Sequence, residues 1–145
     1  CAGKQEGEVW FLAGTYGTKR TIRTCTVPQG KYLFFPLINY VVAPAAGTGD
    51  CQSYMGTAAR ITEHVSSLVL DIDGVSYPNL VAHRQATREC FDLGARMEPK
   101  TRIYPATANG YYVMLRPLPP GRHTLNFGGV LPSVIQAVTY TLIVE

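Results

Sequence analysis

The last third of the chain constrains the fold most strongly, because its apolar residues recur at every second position. Leu125 and Phe127 alternate with the polar Thr124 and Asn126. The final stretch repeats this pattern at Val138, Tyr140, Leu142 and Val144. Side chains on a strand point alternately to its two faces, so a period of two bounded by glycine and proline predicts half-buried antiparallel strands. Residues 111–144 are therefore predicted to form a closing β-meander that supplies an inner face of a sandwich.

Earlier stretches that are apolar or alternating, and that end in turn-forming residues, are predicted strands: 8–13, 20–27, 31–39, 68–73 and 75–81. Residues 20–27 have no cleanly apolar face, so we expect them at a sheet edge. Residues 31–39 are the most apolar window and predict a strand that is buried on both faces and interrupted at Pro36. Asp73-Gly74 is typical of a tight hairpin turn.

One stretch has the period of a helix rather than a strand. Its apolar residues recur every three or four positions at Tyr54, Ala58, Ile61, Val65 and Leu68. This spacing predicts one amphipathic helix, with Ser53 as its N-cap, packed over one end of the sandwich. Residues 82–108 carry many charges and few apolar runs, so a strand followed by a long surface excursion is expected there.

These elements predict an all-β fold with one short helix. The fold class is an antiparallel β-sandwich, Ig-like or jelly-roll-like, and residues 1–145 are expected to form a single domain. Because the chain starts at a cysteine, two alternatives stay open: a leader has been removed, or a preceding N-terminal segment is missing from the domain.

The four cysteines, Cys1, Cys25, Cys51 and Cys90, allow three disulfide pairings. No C-x-x-C pair is present, which argues against a structural zinc site. We predict the pairing Cys1–Cys25 and Cys51–Cys90, and therefore an oxidising compartment. A lipidated N-terminal cysteine is the alternative for Cys1, but it would leave an odd number of thiols.

Charged residues make up only 16% of the chain, and its net charge is +3. Without a basic run or interleaved aromatic and basic residues, a nucleic-acid groove is not expected. No apolar run is long enough to span a membrane as a helix, so no membrane span is predicted. A surface with so few ions is typical of extracellular β proteins, and also of a surface that is partly covered in an assembly.

Several stretches, in chain order, resemble a group of uncharacterised secreted bacterial proteins. They are VWFLAG at 9–14, TCTVP-x-GK at 24–31, LFFPLIN at 33–39 and LPPG-x-HT-x-x-FGG at 118–129. The helix region and residues 82–108 depart from the pattern of this group. The group also has a tryptophan-rich segment before the position of Cys1, which this sequence lacks. That group has no established activity, so the resemblance implies a secreted bacterial β protein and no catalytic residues.

Candidate catalytic and metal-binding residues are few. No nucleophile elbow, HExxH motif or phosphate loop is present, although a serine triad assembled in space stays open. Asp71 and Asp73, two residues apart on one predicted strand face, could ligate calcium, but a polar strand entering a turn explains them better. His64, His83 and His123 have no local metal-ligand spacing, so no metal or other cofactor is predicted.

Tyrosine is the commonest aromatic, with nine residues against five Phe and one Trp. Exposed tyrosines stack on sugars and anchor interfaces, whereas buried ones reflect ordinary strand usage, which is expected to account for about half of them. Trp10 is expected in the core. The positions are Tyr16, Tyr32, Tyr40, Tyr54, Tyr77, Tyr104, Tyr111, Tyr112 and Tyr140.

The function predicted from the sequence is that of a non-enzymatic secreted structural or interaction protein, which assembles with itself through strand edges into a fibre or surface layer. A carbohydrate-binding module is the alternative, and a small extracellular hydrolase is a weaker one. The edges expected to carry assembly lie at the two ends of the chain: Val9, Trp10 and Phe11, with Val138, Tyr140, Leu142 and Val144.

Overall fold

The computed structural model describes residues 1–3, 5–15, 19–44 and 49–145. In these ranges the chain forms nine strands, one α-helix and a 3₁₀ turn at Leu80–His83. The helix α1 is Cys51–Glu63. The strands are β1 (Val9–Phe11), β2 (Thr21–Val27), β3 (Tyr32–Val42), β4 (Ser67–Ile72), β5 (Val75–Ser76), β6 (Arg84–Ala86), β7 (Thr107–Leu115), β8 (Gly121–Val130) and β9 (Ile135–Val144).

The strands form two sheets that pack face to face, which confirms the predicted β-sandwich with one helix. One sheet has four strands in the order β1-β3-β7-β6, and the other has five in the order β2-β9-β8-β4-β5. We call them the four-stranded and the five-stranded sheet. Strands β1 and β2 are edge strands, one in each sheet.

The predicted closing meander is wrong in its topology. Strands β8 and β9 do form an antiparallel hairpin, but β7 crosses to the other sheet and pairs with β3. The sheets are also not purely antiparallel, because β1 pairs with β3 and β2 pairs with β9 in parallel. Alternation predicted which face of each strand is buried, but it carries no information about which strand lies beside which.

The core lies between the inner faces of the two sheets, as the alternation predicted. Leu125 and Phe127 are buried, and so are Leu142 and the other apolar positions of β9. The ring of Phe35 from the four-stranded sheet packs against Phe127 of the five-stranded sheet with their centroids 4.5 Å apart. This contact joins the most apolar strand, β3, to the closing hairpin. The outer face of β3 is only partly buried at Phe34, so burial on both faces was overestimated.

Pro36 lies at an irregularity of β3, where the register with β7 shifts between Pro36 and Ile38. The side chain of Gln136, which is only 6% exposed, reaches this point from β9. Its Nε2 donates to Pro36 O at 2.8 Å and to Leu37 O at 2.9 Å, and its Oε1 accepts from Thr15 N at 2.9 Å. Backbone groups that the shift leaves without ladder partners are thus satisfied inside the protein.

The helix begins one turn earlier than the cap prediction implied. Asp50, rather than Ser53, is the N-cap, and its Oδ1 accepts from Ser53 N at 2.8 Å. At the other end, the buried Thr62 hydroxyl donates to Asn109 Oδ1 at 2.8 Å, and Tyr111 OH donates to Thr62 O at 2.9 Å. The helix is thereby fixed to β7.

Both predicted disulfides, Cys1–Cys25 and Cys51–Cys90, are present. The second joins the start of α1 to the segment that follows β6. That segment is the predicted surface excursion, and its ends meet in an isolated bridge between Phe91 and Ala106.

Truncating the core should cost far more than truncating the threonines beside it. Leu125→Ala and Leu142→Ala should each lower the free energy of unfolding by about 2–5 kcal/mol, because each leaves a cavity in a closed core. The outward-facing Thr124→Ala and Thr141→Ala should cost much less. Chemical denaturation of the four variants measures this, and equal losses for leucine and threonine would contradict the assignment of the inner face.

Removing Cys51–Cys90 should destabilise the protein more than removing Cys1–Cys25. The first closes a loop with a sequence separation of 39 and the second one of 24. By loop-closure entropy each disulfide stabilises the fold by roughly 3–4 kcal/mol, and the longer loop gives the larger value. Paired Cys→Ser variants, compared by thermal unfolding, test the order, and a larger loss for the Cys1–Cys25 pair would contradict it.

Candidate functional site

The longest exposed sheet edge is β2, a strand of seven residues. Val27 O accepts from Glu145 N at 3.1 Å, and Gln29 N donates to Glu145 O at 3.0 Å. In a parallel ladder the bonding residues of a strand alternate, so the odd-numbered residues of β2 face β9. The backbone N–H and C=O groups of the even-numbered residues therefore point away from the sheet. These residues are Ile22, Thr24 and Thr26.

The free side of β2 lacks two of the usual protections of an edge strand, because Thr21–Val27 contains no lysine and no proline. Its one charged side chain, Arg23, donates to Ala13 O and Tyr140 OH. Cys1 Sγ lies 3.7 Å from Thr24 O, so the chain start touches this edge at one carbonyl. Ile22 is 74% exposed, and Thr24 and Thr26 are exposed beside it. The mixed alternation of residues 20–27 predicted this edge, and the pairing confirms it.

The predicted edge at the end of the chain is wrong. Strand β9 lies between β2 and β8, and the apolar residues assigned to an assembly edge are buried on its inner face. An unprotected apolar strand needs a partner, and here β2 of the same chain is that partner. The residues concerned are Val138, Tyr140, Leu142 and Val144.

The predicted edge at the start of the chain is an edge, but a short one. Strand β1 has three residues and lies at the end of the four-stranded sheet. Trp10 points into the core, where it is 8% exposed, whereas Phe11 is 54% exposed on the outer face. The Phe11 ring packs edge-on against Phe34 at 5.8 Å, and Phe34 stacks on Tyr112 at 5.7 Å.

A second feature is a groove of about 450 Å³ on the outer face of the five-stranded sheet. Its floor is the pair Gly128 and Ala137, which carry almost no side chain. A Cβ on Gly128 would collide with the Gln136 carbonyl oxygen, so glycine is required at this close approach. Val69 and Ile135 form apolar walls, both of them exposed.

Polar side chains line one end of this groove. Arg20 Nη2 donates to Thr139 Oγ1 at 2.7 Å and to Asn126 Oδ1 at 3.1 Å. Thr139 Oγ1 donates to the same Asn126 oxygen at 2.6 Å. The Asn126 oxygen is thus fully used, whereas its NH₂ group has no described partner. Asp71 pairs with Asn126 across the strands, so the groove end offers a donor and an acceptor side by side.

The two aspartates proposed as a pair have separate roles. Asp71 Oδ1 accepts from Ser76 Oγ at 2.6 Å across the β4–β5 hairpin. Asp73 lies in the turn beyond β4, with φ of 51°, and its Oδ1 accepts from Thr124 N at 2.8 Å. The turn explanation is therefore the right one. Strand β4 ends at Ile72, so Asp73 does not share a strand face with Asp71.

His123 is held by acceptors at both ring nitrogens. Its Nδ1 lies 2.7 Å from Asp73 Oδ2, and its Nε2 lies 2.7 Å from Pro119 O. The hydrogen bond with Asp73 raises the pKa of His123 above its ordinary value, and burial opposes this only in part. The same bond, followed by that from Thr124 N–H, lowers the pKa of Asp73. With both nitrogens engaged, the ring has no free position for a serine nucleophile.

Within residues 1–3, 5–15, 19–44 and 49–145, no cluster of three or more His, Cys, Asp or Glu side chains could hold a metal ion. Three of the tyrosines are exposed, namely Tyr32, Tyr77 and Tyr104, while Tyr111 and Tyr140 are buried. Tyr16 lies outside the described residues. In the described part of the chain, no helix is long and apolar enough to cross a membrane.

Fold and surface together define a disulfide-linked β-sandwich with one long edge strand, β2, and three short ones, β1, β5 and β6. No family model matches the chain. No curated protein matches it either. A chain of the solved structure described as "Structure of PbICP-C in complex with falcipain-2" superposes with a TM-score of 0.39 and 12% identity, over 96% of this chain and 100% of that one. A superposition at this level establishes neither a common fold nor a common function.

The His123–Asp73 contact should make stability depend on pH. A histidine with a raised pKa stabilises the fold below its ordinary value of 6.5, and this contribution is lost as pH rises through the folded-state pKa. An aspartate with a lowered pKa stabilises above 3.8, and this is lost as pH falls. His123→Gln should therefore cost most free energy of unfolding between about pH 4 and pH 6.5 and less at pH 8.

Denaturation of His123→Gln and the parent protein across this pH range measures the difference. His83→Gln is the matched control, because His83 is exposed and has no described carboxylate contact. A His123→Gln loss that stays constant from pH 4 to pH 8 would contradict the role of the pair.

Proposed function

We propose that this chain is a non-enzymatic, secreted interaction protein that associates with further copies of itself by strand addition at β2. One observation carries the proposal: an edge strand of seven residues that turns three N–H groups and three C=O groups outward, with no lysine or proline to block pairing. Secretion is supported by two disulfides, which persist in oxidising compartments.

A second copy is the partner that the charge of the chain favours. The net charge is only +3 over 145 residues, so two copies repel each other weakly. The side chains that flank the edge are mainly threonines with one exposed isoleucine, Ile22. Threonine and isoleucine pair well across strands, and they would bury apolar area without bringing like charges face to face.

The geometry of the sheet sets what kind of assembly would follow. If β2 pairs with β2 of a second copy, the contact is closed and produces a dimer. If β2 pairs with β5, the opposite edge of the five-stranded sheet, the contact repeats without closing and produces a fibre. The strand β5 has only two residues, which limits the bonds of that second arrangement.

Two substitutions should abolish association while leaving the fold intact. Thr24→Pro removes the N–H at the centre of the free edge, and Ile22→Lys places a charge there; neither change removes a bond between β2 and β9. Sedimentation velocity over a concentration series should show association for the parent and monomers for both variants.

Thr141→Lys is the matched control, because it adds the same charge to a partly exposed position on the same sheet face, but on β9, which is paired there with both β2 and β8. It should associate like the parent. A parent that stays monomeric at every concentration, or equal association in all four proteins, would reject strand addition at β2.

Glycan binding is a second candidate, and the outer groove of the five-stranded sheet is the observation that favours it. Saccharides present an apolar C–H face and a polar rim. The groove offers a flat floor at Gly128 and Ala137, beside the carboxylate of Asp71 and the NH₂ group of Asn126, which has no partner among the described residues. Planar amide and carboxylate groups suit the adjacent hydroxyls of a sugar.

Titration with soluble oligomers of glucose and of N-acetylglucosamine, followed by backbone amide shifts, tests this candidate. Shifts should appear at Asn126, Gly128 and Ala137, and should vanish in Ala137→Phe, which fills the groove from an exposed position. Shifts confined to other parts of the protein, or none at all, would reject the groove as a glycan site.

A further inference from the structure

The outward side of β1 is occupied by a side chain of the protein itself. Phe11 N donates to Gln5 Oε1 at 2.9 Å, and Gln5 Nε2 donates to Phe11 O at 2.8 Å. One carboxamide therefore satisfies both backbone groups of a single edge residue. A residue of a neighbouring strand exchanges the same two bonds in an antiparallel ladder.

These groups of Phe11 are the ones that face away from the sheet. Tyr32 N donates to Glu8 O at 3.0 Å, and Leu12 N donates to Phe34 O at 2.9 Å. In this parallel pair the even-numbered residues of the first segment consequently bond to β3. The backbone N–H and C=O groups of Val9 and Phe11 therefore point to the open side of β1. Of these, the Gln5 carboxamide bonds to those of Phe11.

Gln5 is held in place by the start of the chain. Its Nε2 also donates to Cys1 O at 3.1 Å, and Cys1 is linked to Cys25 of β2 by a disulfide. Cys1 is thus attached to one edge strand, β2, and Gln5 to the other, β1. Gln5 is partly exposed, so water can satisfy its carboxamide if the side chain swings away from Phe11.

We propose that the Phe11 edge is a second strand-acceptor site, held closed by the Gln5 carboxamide. The ligand is an extended polypeptide segment, because the group that now fills the site is chemically a peptide amide. An incoming strand would replace it with a peptide group at Phe11 and would gain two further bonds at Val9.

The outer face beside this edge indicates which side chains the segment would carry. Phe11 is more than half exposed and begins an aromatic row that continues over Phe34 to Tyr112. Every second side chain of an incoming strand would lie on this outer face, and one of them would lie beside Phe11. An apolar residue is expected at that position. The site lies in the four-stranded sheet and does not depend on association at β2.

Gln5→Ala should open the site. Without the carboxamide, hydrogen exchange at the Phe11 amide should accelerate about fivefold to tenfold, the ratio that corresponds to one hydrogen bond of ordinary strength. Gln5→Glu should behave in between, since a carboxylate accepts from Phe11 N–H but cannot donate to Phe11 O. Gln85→Ala is the matched control on the opposite edge strand, β6.

The binding probe is an acetylated and amidated peptide of alternating valine and threonine with a terminal lysine, titrated into each protein and followed by amide shifts. Gln5→Ala should bind it at least several-fold more tightly than the parent, with shifts at Val9 and Phe11. Gln85→Ala should bind it like the parent.

Faster exchange in Gln5→Ala with no gain in peptide affinity would overturn the proposal and leave Gln5 as a structural clip. Shifts confined to Ile22, Thr24 and Thr26 would overturn it too, and would support the β2 edge instead. Failure of the β2 variants to change association would leave the Gln5 result unaffected, so the two proposals fail separately.

Discussion

The parallel pairing of β2 with β9 is the contact on which the rest of the structure depends. It runs the full length of β2, from Thr21 beside Val138 to Val27 beside Val144. An apolar strand with no proline and no charge would otherwise present its backbone to solvent. Because β2 covers β9, the edge of the sheet is β2, whose outward side chains are mostly threonine. Such an edge tolerates water and still keeps every group that a ladder partner needs.

Two side-chain amides complete backbone groups that the ladders leave unsatisfied. Gln136 fills the register shift of β3 from inside, where it is buried, and Gln5 covers Phe11 from outside, where it is partly exposed. The two amides differ in the free energy that their removal would cost. Losing the buried amide would leave desolvated carbonyls unpaired, whereas water can replace the exposed one. The first is therefore a fixed part of the fold, and the second can be exchanged for a partner.

Several charged side chains in the described ranges bond to other parts of the same chain. Asp73 and His123 bind each other and the backbone of neighbouring segments, and Arg23 donates to Ala13 O at 2.7 Å and to Tyr140 OH at 2.9 Å. Side chains committed in this way fix the loops but leave little for acid–base chemistry. Under the proposed function, recognition would depend on backbone edges, aromatic rings and the groove. An edge that is already part of a sheet loses little further conformational entropy of its own when a strand docks.

The sequence by itself determined the local features of this protein. The alternation around Leu125 and Phe127 predicted the inner face, Asp73-Gly74 predicted a turn, and the order of the cysteines led to the right pairing. The inner face and the turn each depend on a few neighbouring residues, because consecutive side chains on a strand point to opposite faces whatever lies beside it. Only the tertiary structure decided that β9 is central and β2 is an edge, and only it brought Gln5 to Phe11. Strand order is set by packing between residues more than a hundred positions apart, and alternation along one strand contains no record of its neighbour.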